Sequence, residues 1–239
     1  LALDACTQHS HRSGFANGVR RSRDLVAVGE HFQSHLTACC SPRRPDHTSP
    51  LELFRWTREH CPAPFAGLVN TENHDALLSS SPERFVSVDC SGRVQTRPIK
   101  GTRPRHSDPE RDADLAAELV CSDKDRAENV MVVDLLRNDL GRVCTPGSIH
   151  VPQLVGLESY ASVHHLTSVV EGQLRDGLNW VDLLEASTSG GAISRAPKLR
   201  SAQSLRDLVP TSRGTLWCLS AHLHWDGRFY RHFRLVFLI

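Results

Sequence analysis

The sequence predicts an α+β fold of largely antiparallel sheets packed with outer helices. Three observations predict it. Strand-like and helix-like stretches alternate along the chain, hairpin signals recur at Asp89-Cys90-Ser91-Gly92 and Asp226-Gly227, and Asp108 to Asn138 forms one long helical stretch. In order, GVRRSRDLVAVGEHFQSHL within residues 16–36 reads as a helix that breaks at Gly29 and runs into a short strand. Residues Ser49 to His60 place Leu51, Leu53, Phe54 and Trp56 in a helical stripe that Pro62 and Pro64 end. Strands are expected at residues 66–70 and 76–80. A hairpin follows over 85–96, and Pro98 closes its second strand. The stretch from Asp108 is expected in two pieces, with Gly141 as its C-terminal stop. Strands over 151–155 and 162–170, helices over 180–186 and 197–208, and a hairpin over 216–239 complete the reading. The terminal LVFLI is apolar enough to need a neighbouring strand that the chain is not expected to supply, which predicts an exposed edge.

Composition narrows the function classes. The 239 residues carry 28 basic and 27 acidic side chains, a formal net charge of +1, so no charge excess steers the chain to nucleic acid or a membrane surface. With 39% apolar and 23% charged residues, disorder and a membrane-spanning protein are excluded, and a single domain is expected. Eight cysteines without a CxxC pair or zinc-like Cys/His spacing read as reduced thiols. With no secretory leader in the first residues, a cytoplasmic location is expected. The absence of an initial Met suggests a longer reading frame around Leu1.

Four stretches have chemistry-bearing residues. Lys100, one of only three lysines, sits in RPIKGT just past a predicted strand end and beside a glycine, a setting for an amine nucleophile or for a surface lysine at a turn. As a nucleophile it needs desolvation or neighbouring cations such as Arg97 and Arg103 to lower its pKa. Asp125 and Glu128 are three apart on a predicted helix, with Asp134 further along, and suit either a hard cation or a solvated face. His164 and His165 alternate across a predicted strand, so one of them faces a core or cleft. The loop with Gly190 and Gly191 runs through Ser194 to Pro197 and Lys198 at a helix start, where backbone N–H groups suit an anion; it is neither a P-loop nor GxGxxG.

Taken together and in order, SSSPERF, TRPIKGTRPR, KDRAENVMVVDLLRNDLGRV, ESYASVHHL and GGAISRAPKLR resemble the chorismate-utilising enzyme family over nearly the whole chain. Within it, lysine in PIKGT resembles the aminodeoxychorismate synthase branch (component I), whereas anthranilate synthases usually carry alanine there. The resemblance implies that the Lys100 amine adds to the chorismate ring as a hydroxyl leaves, and that ammonia then expels the lysine. It implies Glu83 of SPER as the acid for the hydroxyl, a role that needs a raised pKa. It also implies Glu128 with Asp125 as magnesium ligands, His165 as the histidine of the VxHL motif, and Ser194, Gly190, Gly191 and Lys198 near a substrate carboxylate. A glutamine amidotransferase subunit would supply ammonia on a route to para-aminobenzoate and folate.

The chain also departs from that pattern. Family members continue into a further glycine-rich strand and a helix bearing a second glutamate group for magnesium and a lysine for the substrate, whereas this sequence stops at Ile239. The expected unit is thus a partial chorismate-binding catalytic domain over residues 1–239. Leu216 and Cys218 replace a Tyr and a Gly, Arg195 replaces a Gly, and Val236 falls where the family has a carboxylate-binding arginine; Arg234 is two residues earlier, on the same strand face. A charge-assisted hydrogen bond to a substrate carboxylate is worth about 1.5–3 kcal/mol, so going without several of them weakens substrate binding steeply. The alternatives are therefore a truncated, non-catalytic paralogue and, against Lys100, anthranilate synthase component I.

Overall fold

The computed structural model describes residues 6–8, 12–30, 36, 40–42, 48–70, 76–187, 203–204, 207–208, 220–223, 229–232 and 236–238. Two compact units divide the chain. One comprises Leu1–Pro82, Ser189–Leu219 and Phe233–Ile239, and the other Glu83–Thr188 with Ser220–His232.

In the first unit, β1 (Cys6–Gln8) pairs antiparallel with β2 (Cys40–Pro42). Helix α1 spans Arg12–Ala27, and Gly29 follows it at φ 78°, its N–H bonded to the Val26 carbonyl at 3.0 Å. The helix thus stops where the glycine predicts, and the strand expected after it lies outside the described residues. Helix α2 (Pro50–His60) opens with a reciprocal cap: Ser49 Oγ accepts from the Glu52 N–H and Glu52 Oε2 from the Ser49 N–H, with Pro50 in the first turn. It packs on β3 (Phe65–Asn70) and β4 (Ala76–Ser81), which pair from Phe65↔Ser81 to Asn70↔Ala76. The apolar terminus is corrected here. β12 (Val236–Leu238) finds its neighbour within the chain, pairing with β4 at Val236↔Ser79, because β4 leaves one edge unused by β3; β12 itself is an edge of the described sheet.

The second unit is built on a seven-stranded sheet in which every pairing is antiparallel. Its strands are β5 (Arg84–Val88), β6 (Arg93–Thr96), β7 (Ile99–Pro104), β8 (His150–Ser159), β9 (Val163–Gln173), β10 (Ser220–Leu223) and β11 (Phe229–His232). The order is β10-β11-β5-β6-β9-β7, with β8 also on β9. At the β5–β6 turn, Asp89 Oδ1 accepts from the Ser91 and Arg93 N–H groups, and Gly92 takes φ 78°. β10 and β11 pair through Leu223↔Phe229, the hairpin that Asp226-Gly227 predicts.

Helices α3 (Pro109–Cys121) and α4 (Asp123–Gly141) are the two expected pieces. They part at Ser122, whose Oγ accepts from the Asp125 N–H at 3.3 Å, so one residue ends the first helix and caps the second. Helix α5 covers Trp180–Ser187; of the helix expected over 197–208, residues 203–204 and 207–208 are described and are helical. Phe85, Val94, Leu119, Val132, Leu166 and Leu183 are essentially inaccessible and weld helices to sheet, at about 1.5–3 kcal/mol each.

A buried polar chain runs through this core. Val155, the one described non-glycine residue at positive φ (53°), donates its N–H to Ser168 Oγ at 2.8 Å; Ser168 donates to Asn129 Oδ1 at 2.5 Å, and Asn129 Nδ2 to the Leu166 carbonyl at 3.0 Å. Asn129 thus ties α4 to β9 and, through Ser168, to the irregular middle of β8. Asn129→Ala is expected to cost about 2–4 kcal/mol, since it orphans two buried groups and opens a cavity. A urea midpoint shift of less than a third of that would refute the bracing role.

Candidate active site

Lys100 lies inside β7, which corrects the expectation of a lysine past a strand end. Pro98 lacks an N–H, yet its carbonyl accepts from the Ser168 N–H at 3.1 Å, so pairing to β9 resumes at once. Ile99 opposes Thr167 and Thr102 opposes His165, so two residues of β7, Lys100 and Gly101, face the single Leu166 of β9. That is a β-bulge, and Gly101 holds it at φ 85°. A Cβ on Gly101 would sit 2.8 Å from Asp125 Cβ and 3.0 Å from Leu119 Cδ1, so α3 and α4 press directly on the bulge. Lys100 is half-buried, and its Nζ donates to the Ile99 carbonyl at 2.9 Å.

Glu83 reaches the residue that precedes Lys100. Glu83 Oε1 accepts from the Ile99 N–H at 2.9 Å, which holds a carboxylate one residue away from the amine. Across the ladder, His165 is buried, with Nδ1 2.8 Å from Thr102 Oγ1. Burial pushes the His165 pKa down, against a hydrogen bond to the Gly101 backbone and the Glu158 charge.

The sign of that shift makes a prediction. A histidine that protonates less readily folded than unfolded contributes full stability above its ordinary value of 6.5, and that contribution falls as pH drops through 6.5 toward the folded pKa. Urea midpoints measured at about pH 7.5 and about pH 5.5 should therefore fall less in His165→Gln than in the parent chain. Equal losses would refute the burial of a neutral imidazole.

His164 belongs to the opposite face. It is buried between Ser159 Oγ (2.8 Å, Nδ1) and Asp112 Oδ1 of α3 (3.0 Å, Nε2). The hydrogen bonds from Arg105 hold the Asp112 carboxyl far below the usual range. Strand alternation separates the two histidines as predicted: His164 meets Asp112 of α3 on one face, while His165 is buried on the other beside Thr102 and the Tyr160 ring.

Asp125 and Glu128 share a half-buried face of α4. Arg103 Nη1 approaches Asp125 Oδ2 at 3.4 Å while its Nε donates to Glu118 Oε1 at 2.8 Å. Asp134 is exposed and pairs with Arg137 on the solvated side, away from that face. Among the described residues no group of three or more His, Cys, Asp or Glu gathers as a metal cage. Two carboxylates are still the donor type of magnesium, which keeps several waters and takes one or two carboxylates plus substrate.

Ser194, Gly190, Gly191, Lys198 and Arg234 lie outside the described residues. Thr102, Glu158 and Tyr160 were not singled out as candidates by the sequence, and Arg97, expected as a cation near Lys100, pairs with Glu158. The signal that could have found Glu158 is its place in the strand register, directly opposite His165. No helix among the described residues is long and apolar enough to cross a membrane.

Comparison with known proteins bears on this geometry. The sequence profile described as chorismate binding enzyme matches residues 2–217. The chain is 41% identical over 219 residues to the chloroplastic aminodeoxychorismate synthase of Arabidopsis thaliana, covering 91% of this chain and 24% of that protein. It is 49% identical over 157 residues to aminodeoxychorismate synthase component 1 of Salmonella typhimurium, covering 65% of this chain and 34% of the relative. The crystal structure of anthranilate synthase component I from Streptococcus pneumoniae superposes with a TM-score of 0.85 at 31% identity, covering 95% of this chain and 49% of that one. The chain thus spans between about a quarter and half of each of these relatives.

Proposed function

The chain belongs to the chorismate-binding enzyme family, and from that premise we propose that it carries part of the catalytic domain of an aminodeoxychorismate synthase component I. The reaction is chorismate plus ammonia to aminodeoxychorismate and water. The observation that carries this reading is the pair of hydrogen bonds at Ile99, whose N–H binds Glu83 and whose carbonyl accepts from the Lys100 amine.

In the proposed reaction, Lys100 leaves the Ile99 carbonyl and its neutral amine forms a C–N bond to the chorismate ring. The ring C–O bond breaks, and the hydroxyl departs as water with a proton from Glu83. Ammonia then forms the second C–N bond as the bond from the ring to Lys100 breaks and frees the lysine amine, and the proton shed by the new ammonium returns to the Glu83 carboxylate. The Ile99 N–H bond fixes the Glu83 carboxyl before substrate arrives, which removes part of the orientational cost. His165, neutral and anchored on Thr102, offers the ring a hydrogen-bonding group of fixed direction. Glu128 and Asp125 would hold a magnesium ion, which when bound supplies positive charge to a substrate carboxylate. Ser194, Gly190, Gly191, Lys198 and Arg234 are proposed substrate contacts on the strength of the resemblance.

The name component 1 of the Salmonella relative supports a partner, for which we propose a glutamine amidotransferase delivering ammonia. The cytoplasm is the compartment proposed from the sequence, while the Arabidopsis relative is named chloroplastic.

Titrating the purified chain with chorismate, with and without magnesium, and identifying the product formed with excess ammonium tests the reading. The expected result is magnesium-dependent binding and aminodeoxychorismate. Anthranilate as product, or no binding by a folded chain, would overturn it.

A further inference from the structure

Tyr160 stands just past the end of β8, and it is fastened on three sides. Its N–H donates to the Val163 carbonyl at 2.8 Å, closing the β8–β9 hairpin. Its own carbonyl accepts from Arg105 Nη1 at 2.8 Å, and Arg105 is in turn gripped by both oxygens of Asp112. Its hydroxyl donates to Glu158 Oε2 at 2.8 Å, and Glu158 Oε1 accepts from Arg97 Nη2 at 2.5 Å. Between these ties, the phenol ring meets the His165 imidazole edge-on, with centroids 5.8 Å apart and planes at 61°.

From this geometry we infer that Tyr160, latched by Glu158 and Arg97, is a positioning residue for His165. The inference rests on the proposal that His165 faces substrate. Strand register supplies the reason the parts meet. Thr102 and Glu158 are the two cross-strand partners of His165, so the three side chains form a row on one face of the sheet, and Tyr160 extends the row by one alternate position. Thr102 holds the imidazole at Nδ1 while the Tyr160 ring bounds its flank, so rotation of the imidazole displaces one or the other. The hydroxyl of Tyr160 is spent on Glu158, which makes its part in the site one of placement. Arg97 has a second consequence: its guanidinium offsets the Glu158 carboxylate, so the latch adds little negative charge where an anionic substrate must approach.

The test uses the full 239-residue chain with ¹³C-labelled histidine, the His165 signal being assigned by its loss in His165→Gln. In Tyr160→Phe and Glu158→Gln, both rings remain but the latch is broken. The His165 Cε1–H signal is expected to move and broaden in both variants while that of His164, on the other sheet face, stays in place. With chorismate and ammonium, kcat is expected to fall about 5–20-fold while KM changes by less than about twofold, since a misaligned group costs rate more than binding. Unchanged His165 signals and unchanged kcat in both variants would overturn the positioning role. A parent chain without turnover would instead count against the proposed reaction, and the His165 signal would still decide whether the latch holds the imidazole.

Discussion

Lys100→Ala is expected to remove aminodeoxychorismate formation, lowering kcat with ammonium by at least about 10³-fold, or about 4 kcal/mol of barrier. Lys100 is half-buried, and its amine is bonded to the carbonyl of its own neighbour, a local contact that ties no other element in place. Removing the amine should therefore leave the sheet and its stability nearly unchanged while deleting the group proposed to form the C–N bond. A midpoint within about 0.5 kcal/mol of the parent, together with the absence of product, is the combined expectation. Turnover at the parental rate would refute the nucleophile assignment outright. Lys100→Arg sharpens the test, because it keeps the charge and length but not a deprotonatable amine, and it should be as inactive as the alanine variant.

Gly101→Ala is expected to damage stability and rate together. At φ 85° an L-residue is strained, and the new methyl would lie 2.8 Å from Asp125 Cβ and 3.0 Å from Leu119 Cδ1, too close for either helix to accept without moving. Strain and overpacking together should cost about 2–4 kcal/mol in urea denaturation. Relief requires the bulge to shift, and the bulge carries Lys100 on one side and the His165 anchor Thr102 on the other. A displacement of about 1 Å there should lower kcat by about 10²-fold. A variant with parental stability and rate would show that the bulge does not depend on glycine and does not aim the lysine.

These two residues stand side by side in RPIKGT, yet they differ in how far the sequence could be read. The lysine was legible as a candidate because the chain uses arginine almost everywhere else. Its strand was not. Pro98 reads as a stop, and only the Ser168 N–H waiting on β9 shows that a residue without an N–H can still pair through its carbonyl. Glu83 was picked out by its motif, while the hydrogen bond to Ile99 that joins it to the lysine comes from a fold-level meeting of segments sixteen residues apart. Asp125 was legible as an acidic residue on one helix face with Glu128, but its Arg103 neighbour and its packing on Gly101 depend on how α4 crosses β7.

What the sequence determined by itself was local and periodic. The Ser49/Glu52 cap, the Ser122 break between α3 and α4, the Asp89 turn, the Gly29 stop and the opposite faces of His164 and His165 each follow from interactions within a few residues, whose geometry the backbone imposes wherever those residues occur. The tertiary structure alone decided which strands became neighbours, and hence that Thr102 and Glu158 flank His165, that Asn129 braces β8 through Ser168, and that Tyr160 is latched over the imidazole. The physical reason is that register and long-range pairing are set by burying whole apolar faces against one another, a condition on the assembled sheet and its helices rather than on any single stretch of chain.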